Sequence, residues 1–396
     1  MLRFASFALF ATLIASPVFS QGTDEDGNRV EEEERADDKL REEYGGGAAA
    51  KEAPGKPGAP GVGARRPQPP ALEPKQQPLP VVVAAPDMLP SLPSDARVAP
   101  YGEGFAILES GASGDRLVGF DKEGKNAAEI LNPGQKIDRW WLSADGKRVL
   151  WVGGGKLFAA AAGSKVSETL GEAPIGAPAV SPDGTKVAFV RGGKLVVRAL
   201  GASDEKLIAP ADGVLLGGAA AWSLDGKKVF TLVGATADEP DGIGAADLAG
   251  DAPTVVRLTT AANAILSRLA LSPTGRWLMF VQTAKPEPRQ AALRLYSPET
   301  GDIRTLARAS AIDDPTFGPD GTRVYFSGRG ANGLWQAWEA GLEPNSATGD
   351  IPVRRIVEEE NRQFLRPVVG RDSNLGWFIR EDANGKGAQV GRVKLR

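Results

Sequence analysis

The sequence has 396 residues, which is enough for a large core or for a ring of repeated modules. Its 47 Lys and Arg residues nearly balance 50 Asp and Glu residues, and the net charge of −3 provides no basic field that would favour nucleic acid. The chain contains no histidine and no cysteine. Their absence excludes a Ser-His-Asp triad, thiol catalysis, disulfides and metal sites built from His or Cys ligands.

The first 20 residues have the pattern of a secretory signal peptide. An arginine precedes an apolar run over residues 4–14, and the small residues Val18 and Ser20 stand where a signal peptidase requires them. We expect cleavage between Ser20 and Gln21. The apolar run is shorter than the ~20 residues that a membrane-spanning helix needs, so we expect no stable insertion in a membrane.

Residues 21–78 have the composition of a disordered segment. Residues 24–44 are dense in charge and mainly acidic, whereas residues 45–78 are rich in proline, glycine and alanine. The favoured interpretation is a solvated acidic stretch followed by a semi-extended linker. The alternative is that the acidic stretch is an electrostatic docking tail for a basic partner.

An apolar, β-branched stretch at residues 79–85 marks the start of the folded domain, which we predict to cover residues 79–396. The last repeat of that domain has only three predicted strands. We expect residues 79–85 to supply its outermost strand and to close the structure into a ring. The alternative for this stretch is an extended linker.

A short turn motif recurs about every 45 residues from Ala99 onward. Its clearest copy is Ser181-Pro182-Asp183-Gly184. Proline presets the first corner of a type I turn, aspartate bonds its own backbone, and glycine accepts the positive φ that follows. The predicted turn residues of the seven copies are Gly102, Asp145, Gly146, Asp183, Gly184, Asp225, Gly226, Gly275, Asp320, Gly321 and Asp372.

Each copy of the motif predicts one small sheet. Apolar residues alternate after the turn, as in Val187 and Phe189, and further strands follow, as at residues 194–198 and 303–306. Four strands in about 45 residues are typical of one propeller blade. The predicted fold is therefore an all-β propeller of four-stranded antiparallel blades. Seven copies predict seven blades, and six is the alternative because the first and last copies are the least regular.

The run Ser-Pro-Asp-Gly-Thr-Lys-Val-Ala-Phe, from Ser181 to Phe189, resembles the PD40 (WD40-like) repeats of TolB-type propellers. The resemblance covers residues 99–396. It implies a periplasmic propeller that binds the peptidoglycan-associated lipoprotein and an N-terminal segment that engages an inner-membrane partner. This chain departs from that family because residues 21–78 replace the α/β N-terminal domain. Similar repeats occur in tricorn-like and prolyl-oligopeptidase-like propellers, so the motif is more specific for architecture than for function.

Three carboxylate clusters, at residues 238–239, 313–314 and 358–360, are the candidates for acid–base catalysis. We interpret all three as solvated loop charge, because adjacent residues on a loop do not face each other as the two carboxylates of a glycosidase must. No residue is predicted to be catalytic, to hold a cofactor or to bind a metal. Trp335 and Trp338 lie in a less regular stretch, where core packing is favoured and contact with a partner is the alternative.

Rigid propellers present loops on which binding groups can sit. The leading hypothesis is therefore a non-enzymatic interaction protein, monomeric and secreted or periplasmic, that binds unidentified protein partners, with cell-envelope proteins as candidates, and no nucleic acid. The alternative hypothesis is a carboxylate- or metal-dependent propeller enzyme that acts on a carbohydrate or a small lactone.

Overall fold

The computed structural model describes residues 97–395, apart from residues 126–127, 286–289, 331, 347–348, 358, 360 and 372–374. The expected cleavage site at Ser20 and Gln21, the segment 21–78, the expected closing strand at 79–85 and the turn residue Asp372 lie outside the described residues. The described part of the chain contains 27 strands and no helix.

The strands form seven antiparallel sheets, which we number as blades 1 to 7 in chain order. The strands of blades 1 to 4 are β1 (Val98–Tyr101), β2 (Gly104–Gly111), β3 (Gly114–Phe120), β4 (Ala128–Leu131), β5 (Arg139–Leu142), β6 (Arg148–Gly153), β7 (Lys156–Ala161), β8 (Ser167–Glu172), β9 (Ile175–Val180), β10 (Lys186–Arg191), β11 (Lys194–Ala199), β12 (Glu205–Ile208), β13 (Leu215–Trp222), β14 (Lys228–Gly234), β15 (Gly242–Asp247) and β16 (Val256–Thr260).

Blades 5 to 7 continue the same order of strands. They consist of β17 (Ala264–Leu271), β18 (Leu278–Ala284), β19 (Ala291–Tyr296), β20 (Ile303–Ala309), β21 (Ile312–Phe317), β22 (Arg323–Arg329), β23 (Trp335–Gly341), β24 (Val353–Arg355), β25 (Arg362–Val369), β26 (Leu375–Asp382) and β27 (Gln389–Lys394). Six blades have four strands, and blade 7 has three among the described residues. The predicted seven-bladed all-β propeller is confirmed, and the six-bladed alternative is wrong.

The hydrophobic core is divided into seven clusters, and each cluster joins two neighbouring blades. One of them joins blade 1 to blade 7, with Phe105 and Ile107 packed on Trp377 and Ile379. The ring centroids of Phe105 and Trp377 lie 5.5 Å apart. Since the first and last blades share a core, the sheets meet end to start and form a closed ring.

The burial of each strand follows from this arrangement. Four consecutive residues are buried in β10, because a strand within a sheet that is covered on both faces has no solvent side. The outermost strand β16 instead alternates between exposed and partly buried residues. The apolar run of β10, which the sequence presented as alternating, is therefore buried on both faces inside its blade, and β16 is an outer edge exposed on one face.

The turn between the first and second strands of a blade is fixed by side chains. In blade 3 the amide of Gly184 donates to the carbonyl of Ser181 at 2.9 Å, with φ of Gly184 at +71°. Ser181 Oγ donates to Asp183 Oδ1 at 2.5 Å, and Asp183 Oδ1 also accepts from the amide of Thr185 at 3.0 Å. The hydrogen bond from Ser181, followed by that from Thr185, lowers the pKa of Asp183 to about 2. Ser143 and Ser223 make the same contact in blades 2 and 4.

Candidate interaction site

The first strand of each blade lies at the axis of the ring. In every sheet the first strand in chain order stands at one end of the strand order. The first strands of blades 3 to 7 contact one another in sequence, and that of blade 7 also contacts that of blade 1. Strands that follow one another around a closed ring surround its axis, so their residues decide what the centre of the propeller presents.

Four of these first strands contain a bulge at the same place, four residues before the first residue of the turn. The residues there have positive φ, namely Ala219 (51°), Arg268 (59°), Asp314 (45°) and Arg366 (54°). The pairing with the second strand shifts at each of these places. A left-handed conformation costs a non-glycine residue about 1–2 kcal/mol, and a bulge redirects a side chain. In blades 5, 6 and 7 the redirected side chain is charged.

These charged side chains form ion pairs across blades 5, 6 and 7. Arg268 Nη2 lies 2.6 Å from Asp313 Oδ1 and 3.9 Å from Asp314 Oδ1. Arg366 Nε lies 3.1 Å from Asp314 Oδ2. Asp314 therefore has an arginine on each side. The side chains of Arg268 and Arg366 retain 42% and 24% of their exposure, so both guanidinium groups remain accessible from solvent.

Arg97, immediately before β1, extends this group of charges to blade 1. Burial lowers the pKa of Arg97, and the carboxylate of Asp314 opposes this effect, ahead of smaller contributions from Arg366, Arg268 and Asp313. We call these five residues the axial cluster. It contains three cations and two anions, so its local charge is positive.

Glu381 on β26 lies beside the axial cluster and is only 5% exposed. Burial raises the pKa of Glu381, and the charge of Arg366 opposes this effect. Among the described residues, no hydrogen-bond donor reaches Glu381 Oε1. A buried acidic group thus also approaches Arg366 from within blade 7.

On the other side of the axis, the first strands of blades 3 and 4 approach backbone to backbone. A Cβ atom on Gly176 would lie 2.2 Å from the amide nitrogen of Ala219, and one on Gly218 would lie 2.7 Å from the carbonyl oxygen of Ile175. Farther out, a parallel bridge joins Pro210 to Val255. Blades 3 and 4 are therefore closely joined at the axis, and no ion pair links their first strands among the described residues. We call the contact of Gly176 with Gly218 and Ala219 the glycine contact.

The predicted turn residues that the structure describes, all except Asp372, lie at the junctions between first and second strands, and none of them belongs to the axial cluster. Their glycines have positive φ, at Gly102, Gly146, Gly184, Gly226, Gly275 and Gly321. Some turns also touch the next blade. The ring of Tyr101 lies against Gly146, Leu224 lies against Gly275, and Thr274 lies against Gly321.

The two tryptophans singled out by the sequence both lie on β23 and are half-buried. Trp338 packs against the core shared by blades 5 and 6, and the guanidinium of Arg355 lies 5.9 Å from the centre of its ring. Trp335 stands at the start of β23, where its amide lies 3.4 Å from Gln363 Oε1 on the first strand of blade 7. Trp335 is therefore close to the strand that bears Arg366.

The expectation that residues 313 and 314 are solvated loop charge is wrong. Both aspartates belong to the first strand of blade 6, and both are paired with arginines. The other two clusters are also paired where they are described: Glu239 lies 3.1 Å from Lys285 Nζ, and Glu359 lies 2.5 Å from Arg380. The repeat register already placed Asp314, Arg268 and Arg366 at equivalent positions, and this was the available signal.

The described residues include no group of three or more His, Cys, Asp or Glu side chains that could together hold a metal ion. They also include no helix with the length and apolar character needed to cross a membrane.

The sequence matches no protein-family model and no curated protein. Solved structures do resemble the fold. An oligogalacturonate lyase from Vibrio parahaemolyticus is 10% identical over 77% of this chain and 92% of its own, with a TM-score of 0.56. A chain of the mitotic checkpoint complex is 12% identical over 81% of this chain and 99% of its own, with a TM-score of 0.53. TolB from Acinetobacter baumannii is 17% identical over 76% of this chain and 79% of its own, with a TM-score of 0.41.

The chain is a β-propeller, and TolB proteins are among the solved structures to which it is similar. At identities of 10–17%, these similarities concern the fold alone. Because propellers of this shape host unrelated functions, function has to be argued from the residues of the site.

Proposed function

We propose that the protein is a secreted, non-enzymatic interaction protein that binds an acidic segment of a protein partner at the axial cluster. The observation that supports this proposal is the backbone strain at Arg268, Asp314 and Arg366, which places three charged side chains of neighbouring blades at one side of the axis. Strained backbone that persists in a folded protein clusters at functional sites.

The energetic balance favours a role beyond stability. Three left-handed residues together cost roughly 3–6 kcal/mol. Partly exposed ion pairs such as Arg268–Asp313 and Arg366–Asp314 contribute about 0–1 kcal/mol each. The pairs therefore do not offset the strain, and glycine at the same three positions would avoid it.

The charges of the axial cluster suit an acidic ligand. Its three guanidinium groups outnumber its two carboxylates, and arginine binds carboxylates through two parallel hydrogen bonds. A partner carboxylate can exchange with Asp313 or Asp314 without leaving a guanidinium unpaired. We infer that Trp335, beside Gln363 at the edge of the site, provides an aromatic contact for the same partner. Trp338, the other tryptophan considered for such a contact, packs against the core shared by blades 5 and 6.

The compartment follows from the sequence. The predicted cleavage between Ser20 and Gln21 would release the propeller outside the cytoplasm, and a cell-envelope protein is the partner class expected there. The segment 21–78 is the other candidate for recognition, because its acidic half would bind a basic partner.

In-cell crosslinking followed by mass spectrometry tests the proposal. The full-length protein is compared with the double variant Arg268→Gly and Arg366→Gly, in which glycine accepts the positive φ. Arg116→Ala is the control, because Arg116 is exposed on β3 and pairs only with Glu109 among the described residues. We expect specific crosslinks from the wild type and the control, and their loss from the double variant. Crosslinks that are unchanged in the double variant would place the partner elsewhere.

The alternative is an enzyme that acts on a carbohydrate or a small lactone. Asp313 and Asp314, on the first strand of blade 6, are adjacent in the chain and are paired with arginines, whereas a glycosidase needs two carboxylates that face each other across the bond. The test is to incubate the protein with oligogalacturonate and with a sugar lactone. Turnover that is lost in Asp314→Asn would overturn the non-enzymatic proposal.

A further inference from the structure

A cavity of about 180 Å³ lies between blade 4 and blade 5, away from the axial cluster. Phe280 and Gln282 alternate on β18 and so share one face of blade 5, which also presents Leu266 and faces blade 4. The residues that line the cavity include Thr259, Thr260, Leu266, Phe280, Gln282 and Arg294. The cavity thus has an apolar side and a polar side.

Arg294 is a half-buried cation without a counter-ion among the described residues. Burial lowers the pKa of Arg294, and the nearby charge of Arg308 lowers it further. No acceptor in the described part of the chain reaches Arg294 Nε. The neighbouring Arg257 provides a contrast, because its Nη1 lies 2.6 Å from Asp241 Oδ1. Burial of an unpaired guanidinium destabilises the folded protein, so an anion bound beside Arg294 in this cavity would stabilise it.

Gln282 sets a second requirement for a ligand of this cavity. Its Oε1 atom is buried and has no donor among the described residues. A ligand that satisfies both side chains must present an oxyanion to Arg294 and a hydrogen-bond donor to Gln282. An ammonium donor is disfavoured, because Arg294 and Arg308 are both positive. A hydroxyl group meets the requirement without added charge.

We propose that this cavity binds a small organic hydroxycarboxylate, with its carboxylate on Arg294 and its hydroxyl on Gln282. The size is consistent with such a ligand, since a cavity of roughly 150 Å³ accepts a benzene molecule. The carbon skeleton of the ligand would lie against Leu266 and Phe280.

Thermal unfolding of the full-length protein with a set of small probes tests the proposal. Lactate at about 10 mM is expected to raise Tm by at least about 2 °C. Propionate lacks the hydroxyl, lactamide lacks the charge, and alanine has an ammonium in place of the hydroxyl, so each is expected to give a smaller shift. Inorganic phosphate serves as the probe for a general anion site.

Two variants test whether Arg294 and Gln282 are responsible for the shift in Tm. Arg294→Met is expected to weaken lactate binding by roughly tenfold to a hundredfold, which removes the shift. Gln282→Leu is expected to keep a shift but to erase the difference between lactate and propionate. The control is Arg304→Met, because Arg304 lies on the opposite face of blade 5, 4.6 Å from the ring centre of Trp277.

Three results would overturn the proposal. The first is that no hydroxycarboxylate among lactate, glycolate and 3-hydroxybutyrate shifts Tm. The second is that phosphate protects as well as lactate, which would indicate an unspecific anion site. The third is that the lactate shift persists in both Arg294→Met and Gln282→Leu.

Discussion

The first strands of neighbouring blades pack together through different residues on the two sides of the propeller axis. Blades 3 and 4 bring their first strands together through Gly176 and Gly218, at distances that no side chain could occupy. Blades 5, 6 and 7 place Arg268, Asp314 and Arg366 at the bulge and hold them by ion pairs. Glycine gives close contact without strain, whereas charged residues in the same backbone conformation cost stability. Strain alone does not distinguish the two sides, because Ala219 has the same left-handed φ at the bulge of blade 4. The second side differs in placing charged side chains at this position, and we infer from this that it is built for binding.

The largest expected effect is on the glycine contact. Gly176→Ala should lower the free energy of unfolding by about 2–5 kcal/mol, because the new Cβ meets the backbone of Ala219 and a positive φ is also strained for alanine. Gly184→Ala is the matched control. Its φ of +71° is nearly the same as the +72° of Gly176, but nothing lies within 4 Å of its Cβ position. Chemical denaturation of both variants measures the difference, and equal losses would show that crowding at Gly176 is unimportant.

The second-largest effect on the free energy of unfolding is expected from a change in the axial cluster. Asp314→Asn leaves Arg97, Arg268 and Arg366 facing one another, with Asp313 and the buried Glu381 as the carboxylates described beside them. We expect a loss of about 1 kcal/mol, larger at low salt, since these groups are partly exposed and the repulsion is screened. Asp313→Asn is the control and should lose less, because Asp313 forms an ion pair with Arg268 alone among the described residues. A loss for Asp314→Asn that is independent of salt would contradict the electrostatic explanation.

The turn between the first and second strands occurs in blades on both sides of the axis. Changing one of these turns is expected to have a smaller effect on stability than the two changes above. The pKa of Asp183 is lowered to about 2 in the folded protein, from 3.8 as the ordinary value. A carboxylate with a lower pKa in the folded state stabilises it above the ordinary pKa, and this contribution is lost as the pH falls from about 4 to about 2. Ser181→Ala removes the hydrogen bond responsible. We expect the difference in unfolding midpoint between wild type and variant to be present at pH 7 and to shrink at pH 2. A difference that does not change with pH would argue against this origin.

The sequence was sufficient to predict the blades but not the site. The recurring turn around Asp183 and Gly184 determined the strand order and the number of blades, because turn chemistry is local and belongs to particular residue types. The axial cluster was missed because arginine and aspartate give no local signal for a left-handed backbone. Its ion pairs also join residues far apart in the chain: Arg268 and Asp313 are 45 positions apart, and Asp314 and Arg366 are 52 apart.

The glycine contact is an intermediate case. The sequence shows Gly176 and Gly218, and a glycine inside a strand is a known sign of close backbone approach. It does not show which other strand approaches, because that depends on how neighbouring blades are joined. The cavity beside Arg294 was equally invisible, since the absence of a counter-ion is a property of the folded chain.

The central claim is that the strain at the axial cluster is retained for binding and not for stability. The free energy of unfolding of the double variant Arg268→Gly and Arg366→Gly tests it most directly. Relief of strain at two residues exceeds the loss of their ion pairs, but glycine also makes the unfolded chain more flexible, which offsets part of the gain. We therefore predict a value equal to the wild type within about 1 kcal/mol, or higher. A decrease of more than about 2 kcal/mol would show that the charged residues stabilise the ring, and would contradict the claim.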